Sequence, residues 1–171
     1  MKKVAQFEKV SLEQFIKDWN QTFGNRPEQM LKEIYNNIKL PERKTRYSAG
    51  HDFHIPFDFR IVPGGRVAIP TGIKCTMNTN YVMQIFPRSS LGIKKGMCIS
   101  NTVPIIDADY INADNEGHIF ISIENRGTET ILLNSGESFV QAIFVEYGIA
   151  DKSKIDTERK GGIGSTGRQI E

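Results

Sequence analysis

The chain has 171 residues, 39% of them hydrophobic and 25% charged, with a formal net charge of +2. That length suits one domain with a real core and a small appendage, and so slight a charge argues against DNA or a membrane surface as the main partner. Two cysteines and three histidines stand in no C-x-x-C pattern, which points to buried free thiols and to no zinc site.

Residues 1–39 read as a helical appendage. The first ten, MKKVAQFEKV, hold charge but no apolar run, so no secretory signal is expected and the cytoplasm is the expected location. Ser11 and Gln14 fit a capping box ahead of a face made by Leu12, Phe15, Ile16 and Trp19. A second helix is expected over 25–38, with Pro27 in its first turn and Met30, Leu31, Ile34 and Ile38 on one side. Both apolar faces are expected to pack on the main domain.

From residue 40 to 150 the pattern changes. Short apolar runs (FDFRIV, RVAIP, YVMQIF, MCIS, HIFISI, TILL, FVQAIFVEY) recur between Gly, Pro, Asn and Asp. In HIFISI, Ile119, Ile121 and Ile123 share one face. Such spacing predicts an all-β sandwich or barrel, and the lack of strand–helix alternation argues against a Rossmann or P-loop fold. No segment reaches the length of a membrane span. Residues 151–171 read as a polar linker, DKSKIDTERK, and a Gly-rich tail, RKGGIGSTGR. By itself that tail reads as a fraying end or as a wrap for an anion.

Three clusters exceed what a plain β domain needs. In PRSSLG, Arg88 is a cation, Ser89 and Ser90 carry hydroxyls, and backbone N–H groups lie before Gly92. The set suits phosphate oxygens, though an ordinary turn explains it equally well. In NTVPIIDADY, Asn101 offers a donor and an acceptor to a nucleobase edge. Asp107 follows the apolar pair Ile105–Ile106, which would partly desolvate it and suit it to act as a base for water, although a loop carboxylate is more often structural. Tyr110 adds a flat face. In GESFVQ, the Gln141 amide lies in an apolar run and must find a partner, either backbone or ligand.

Read together, these segments resemble the trimeric dUTPase family. SAGHDF (48–53) with IPTGIK (69–74), PRSSLG, NTVPIIDADY, GESFVQAIFV and GGIGSTG match its five motifs in order, over residues 40–168. The resemblance implies a jelly-roll-like β-barrel that forms homotrimers, with active sites shared between subunits and the tail of one covering a neighbour's site. It implies hydrolysis of dUTP to dUMP and pyrophosphate, with Mg²⁺ held mainly by the triphosphate and no direct binding of nucleic acid or membrane. By the same resemblance, Asp107 is the general base for water attacking the α-phosphate. Arg88, Ser89, Ser90 and Gln141 hold phosphates. Tyr110 lies under the deoxyribose, and Asn101 with the backbone near Ile105, Ile106 and Phe120 reads uracil. Arg159, Ile163, Gly164 and Ser165 contact the nucleotide from the tail.

The sequence departs from the family pattern at several points. His51 stands where Tyr is common, Ser138 where Arg is common, and Ile163 where a stacking Phe is common. Arg159 lies one residue nearer the glycines, and INADNE (111–116) is inserted after Tyr110, where it reads as a longer hairpin loop. Two other readings stand beside dUTP hydrolysis. One is a dCTP deaminase, which needs a Glu three residues before the strand's Asn; Ser122 occupies that place before Asn125. The other is a nucleotide-binding trimer without catalysis.

Overall fold

The computed structural model describes residues 2–150 and Gly161. The punctuated apolar runs become strands, as period-two burial requires. In chain order the strands are β1 (Ala5–Lys9), β2 (His51–His54), β3 (Phe59–Ile61), β4 (Arg66–Pro70), β5 (Ile73–Met77) and β6 (Tyr81–Pro87). They continue as β7 (Met97–Ile99), β8 (Ile105–Ile106), β9 (Phe120–Asn125), β10 (Ile131–Leu133) and β11 (Ser138–Glu146). The helices are α1 (Leu12–Phe23), α2 (Glu28–Asn37) and α3 (Ser89–Lys95). The mainly β class is as expected. Among the described residues the ladders are β2-β11-β6-β8, β4-β9-β7, β1-β5 and β10-β3, all antiparallel.

One core joins these ladders. Ile119, Ile121 and Ile123 are fully buried, as their shared face predicts, and meet Phe53, Ile69, Ile85 and Phe139. Phe15, Trp19 and Leu31 enter the same cluster, so both helices pack on the β domain. The stretch before α1 corrects the helical reading of the N-terminal residues. Ala5–Lys9 alternates half-buried and exposed side chains and pairs with β5, Phe7 opposite Cys75. The second helix is shorter than expected: Pro27 caps it from outside the first turn, and Met30 is exposed while Leu31 and Ile38 are buried. Both cysteines are free, and burial pushes the Cys75 thiol up to about 12.

The Ser11 cap forms in an unexpected way. Ser11 Oγ accepts from Gln14 N at 3.1 Å, but the reciprocal bonds come from the inserted segment. Glu116 accepts from Ser11 N at 2.9 Å and from Ser11 Oγ at 2.5 Å. An acidic group there also suits the positive end of the helix dipole. Glu116 reaches Lys74 Nζ as well, at 3.4 Å. Burial alone would raise its pKa, but the bonds from Ser11 and Lys74 outweigh this and hold it below the usual carboxylate range. Residues 108–117 therefore do not extend as an open hairpin loop. Ala108–Asn112 forms a 3-10 turn, and Gly117, at φ +71°, lets the chain fold back against it. A Cβ at Gly117 would lie 2.7 Å from Ile111 Cα.

Asn125 secures the turn between β9 and β10. It is fully buried; its Nδ2 donates to Ile61 O and Glu129 O, both at 2.8 Å, and its Oδ1 accepts from Gly127 N at 2.9 Å. Asn125→Ala leaves those three backbone groups without their partner. We expect a loss of about 3 kcal/mol, read as a lower urea midpoint with an unchanged slope.

Candidate active site

Strand β11 lies between β2 and β6, so Gln141 faces Asp52 on one side and Phe86 on the other. Just past β6 the chain turns at Arg88, whose N–H donates to Phe139 O of β11 at 3.2 Å. The PRSSLG stretch is more than a turn: α3 begins there. Leu91 and Gly92 N–H both donate to Arg88 O, which leaves the Ser89 and Ser90 N–H groups outside the helix's own ladder. The Arg88 guanidinium stands 3.4 Å from Asp52 Oδ2. That oxygen is buried and has no hydrogen-bond partner, so the contact is a charge pair rather than an aligned hydrogen bond.

A cleft of about 420 Å³ is lined by Lys44, Ser48, Gly50, Asp52, Arg88, Ser89, Ser90 and Gln141. Four expected residues, Arg88, Ser89, Ser90 and Gln141, thus meet in one place. Lys44, Ser48, Gly50 and Asp52 were not singled out from sequence, although the SAGHDF segment containing three of them was. The readable signal was Gly50. A Cβ there would lie 2.3 Å from Gln141 Oε1, so only glycine leaves that amide its place. Lys44 Nζ also sits 2.5 Å from Glu42 and holds that carboxyl below its usual range. Burial lowers the pKa of both His51 and His54. His51 packs its ring against Phe7 and Phe144, at centroid distances of 5.7 and 5.5 Å.

The other expected residues gather elsewhere. Strand β8 pairs with the far part of β6, Ile106 opposite Met83 and Ile105 opposite Gln84. Arg88 lies five residues beyond Met83, roughly 16 Å along the strand direction. Asp107 follows β8 and is exposed. The expected shielding by Ile105–Ile106 is not met within one chain, because Ile105 is itself 54% exposed. Asn101 is exposed, just before Thr102 at φ +65°. Tyr110 is buried and its hydroxyl donates to His118 O at 3.0 Å. Phe120 is half-buried, its ring 4.7 Å from that of His118. Arg159, Ile163, Gly164 and Ser165 lie outside the described residues. One chain therefore presents two separate places: a basic cleft lined with hydroxyls, and an exposed carboxylate with an apolar neighbour.

The dUTPase family model matches residues 36–167. The chain belongs to the dUTPase family. It is 40% identical over 133 residues to a deoxyuridine 5'-triphosphate nucleotidohydrolase of Lactococcus lactis, covering 76% of this chain and 89% of that protein. A relative of the same description from Tolumonas auensis is 35% identical over 143 residues, covering 79% and 91%. The crystal structure of the Streptococcus mutans dUTPase superposes with a TM-score of 0.63 at 34% identity, covering 85% of this chain and 98% of that one. A dUTPase from phage phi11 of S. aureus, 17% identical with a TM-score of 0.64 over 91% and 97%, shares the fold. Family membership makes this chain an enzyme, a dUTP diphosphatase. Strand β1, α1 and most of α2 precede the matched dUTPase region.

Gly50 gives the role of the cleft in this dUTPase a direct test. In Gly50→Ala the new methyl displaces the Gln141 amide rather than backbone, so the fold survives. We expect dUTP turnover to fall about tenfold with the melting temperature held within about 2 °C.

Proposed function

We propose that this chain hydrolyses dUTP at sites each assembled from two or more copies of itself. The observation that carries the reading is the separation of these two places. Arg88, Ser89, Ser90 and Gln141 share a cleft, while Asp107 stands exposed beside an exposed Ile105. A neighbouring copy that brings its Asp107 to the cleft would bury Ile105 and dry the carboxylate together. A homotrimer with three such sites fits this arrangement.

In this reading Asp107 takes a proton from water as the water oxygen bonds to the α-phosphorus. The bond from that phosphorus to the bridging oxygen breaks, and pyrophosphate leaves with the electron pair. Arg88 and Lys44 offset the charge of the phosphates, and the hydroxyls and free N–H groups of Ser89 and Ser90 orient them. Gln141 holds its amide toward the same oxygens. Tyr110 supports the deoxyribose, and Asn101 with the backbone near Ile105, Ile106 and Phe120 reads the uracil. Arg159, Ile163, Gly164 and Ser165 complete the site from a neighbouring copy.

Asp52 is the single carboxylate among the residues that line the cleft, which fits Mg²⁺ taking most of its oxygen ligands from the triphosphate and from water. A bound Mg²⁺ would neutralise phosphate charge. A phage phi11 dUTPase variant coordinates a structural Mg(II) ion. No helix among the described residues is long and apolar enough to cross a membrane, and we place the reaction in the cytoplasm.

A pyrophosphate-release assay across dUTP, dCTP, dTTP and UTP tests the assignment. We expect release from dUTP alone. Ammonia from dCTP would establish a deaminase, and binding with neither product a non-catalytic trimer. The deaminase reading lacks its carboxylate: Ser122 Oγ is bonded to Ser100 Oγ at 2.9 Å, and Glu124 is engaged by Arg66 and Arg126.

A further inference from the structure

His118 is fully buried and both its ring nitrogens are used. Gly72 N–H donates to Nε2 at 2.7 Å. A nitrogen that accepts holds no proton, so the ring proton sits on Nδ1. Nδ1 lies 2.6 Å from Asp18 Oδ2 and donates to it. Asp18 belongs to α1, outside the region matched by the family, and is itself 5% exposed. A carboxylate so buried is destabilising unless it is bonded, and His118 supplies that bond. The same residue's carbonyl accepts from Tyr110 Oη at 3.0 Å and from Asn115 Nδ2 at 3.1 Å. Its ring lies against Phe120. The chain of contacts thus runs from α1 through one histidine to the two aromatic residues on either side of it.

We propose that Asp18 is a positioning residue for the sugar side of the nucleotide pocket. Through His118 it fixes the orientation of Tyr110 and Phe120, so α1 takes part in rejecting a ribonucleotide. The proposal rests on the reading of Tyr110 as the residue beneath the deoxyribose. Glu116 braces the same segment independently through Ser11, so loss of Asp18 loosens the contact without detaching α1.

The test compares Asp18→Leu, Asp18→Asn and Tyr110→Ile in the full chain. The readouts are kcat and KM for dUTP and UTP, the melting temperature, and the ¹⁵N shifts of the His118 ring. Asp18→Leu should raise the KM for dUTP about fivefold, leave kcat within about twofold, and cut dUTP-over-UTP selectivity about fivefold. Its ring should keep the Nδ1–H tautomer, which Gly72 N–H fixes, but the Nδ1 shift should move as the bond to Asp18 is lost. Asp18→Asn keeps an accepting oxygen and should restore both that bond and the selectivity. If Asp18→Leu lowers only the melting temperature, Asp18 is a packing residue and the proposal fails. If Tyr110→Ile keeps full selectivity, the sugar-side reading fails whatever Asp18 does. Should Asp18→Leu not fold, Asp18→Ser decides, since its shorter side chain does not reach His118 Nδ1. Unchanged selectivity in Asp18→Ser overturns the proposal, and a fall supports it.

Discussion

Asp107→Asn lowers dUTP turnover by about 10²–10⁴-fold, the usual worth of a general base, while a non-hydrolysable dUTP analogue binds within about threefold of the parent. The amide matches the carboxylate in size but cannot accept the proton that water must lose. Little else should change. Asp107 precedes the 3-10 turn in an extended conformation, and a backbone bond, Tyr110 N donating to Asp107 O, helps to hold the turn. Pyrophosphate release measures the first quantity and calorimetric titration the second. Turnover near that of the parent would remove Asp107 from the chemistry.

Mixing two inactive variants should restore activity. Arg88→Ala takes the guanidinium from the cleft and Asp107→Asn takes away the proposed base, so each variant alone is expected to be inactive. If a site takes its cleft from one copy and its carboxylate from another, co-expressed chains in equal amounts rebuild it. One copy must keep Arg88 and its neighbour must keep Asp107. Random assembly meets both conditions in about one site in four, so about a quarter of the parent activity returns. The control is native mass spectrometry showing mixed oligomers. Mixed oligomers without activity would place both residues in a site within one chain, against the separation along β6.

The parts that were legible in the sequence were local. The runs that became β3, β4, β6, β7, β9, β10 and β11 carry their own apolar content, and the Ile119–Ile123 face follows from alternation alone. Strand β1 was hidden because five alternating residues beside a strong helix signal become a strand only where β5 offers an edge. Strand β8 is two residues long, too short for any period to register. Arg88, Ser89 and Ser90 are adjacent in the chain and could be grouped on sight. Lys44, Gly50 and Asp52 join them only through the pairing of β2 with β11, which no local pattern encodes. The bonds Glu116–Ser11 and His118–Asp18 cross about a hundred positions, so a loop counted as an insertion proved to be a brace. The shielding expected for Asp107 is not met among the described residues, where Asp107 and its neighbour Ile105 are both exposed.

The placement of β11 between β2 and β6 also orders events during synthesis. Asp52 and Gln141 face each other, so the cleft they line cannot exist on a nascent chain until residue 141 has left the ribosome. At cellular elongation rates, adding residues 52–141 takes on the order of 5–20 s. From the synthesis of residue 87 until that of residue 141, the edge of β6 that β11 will cover is unpaired.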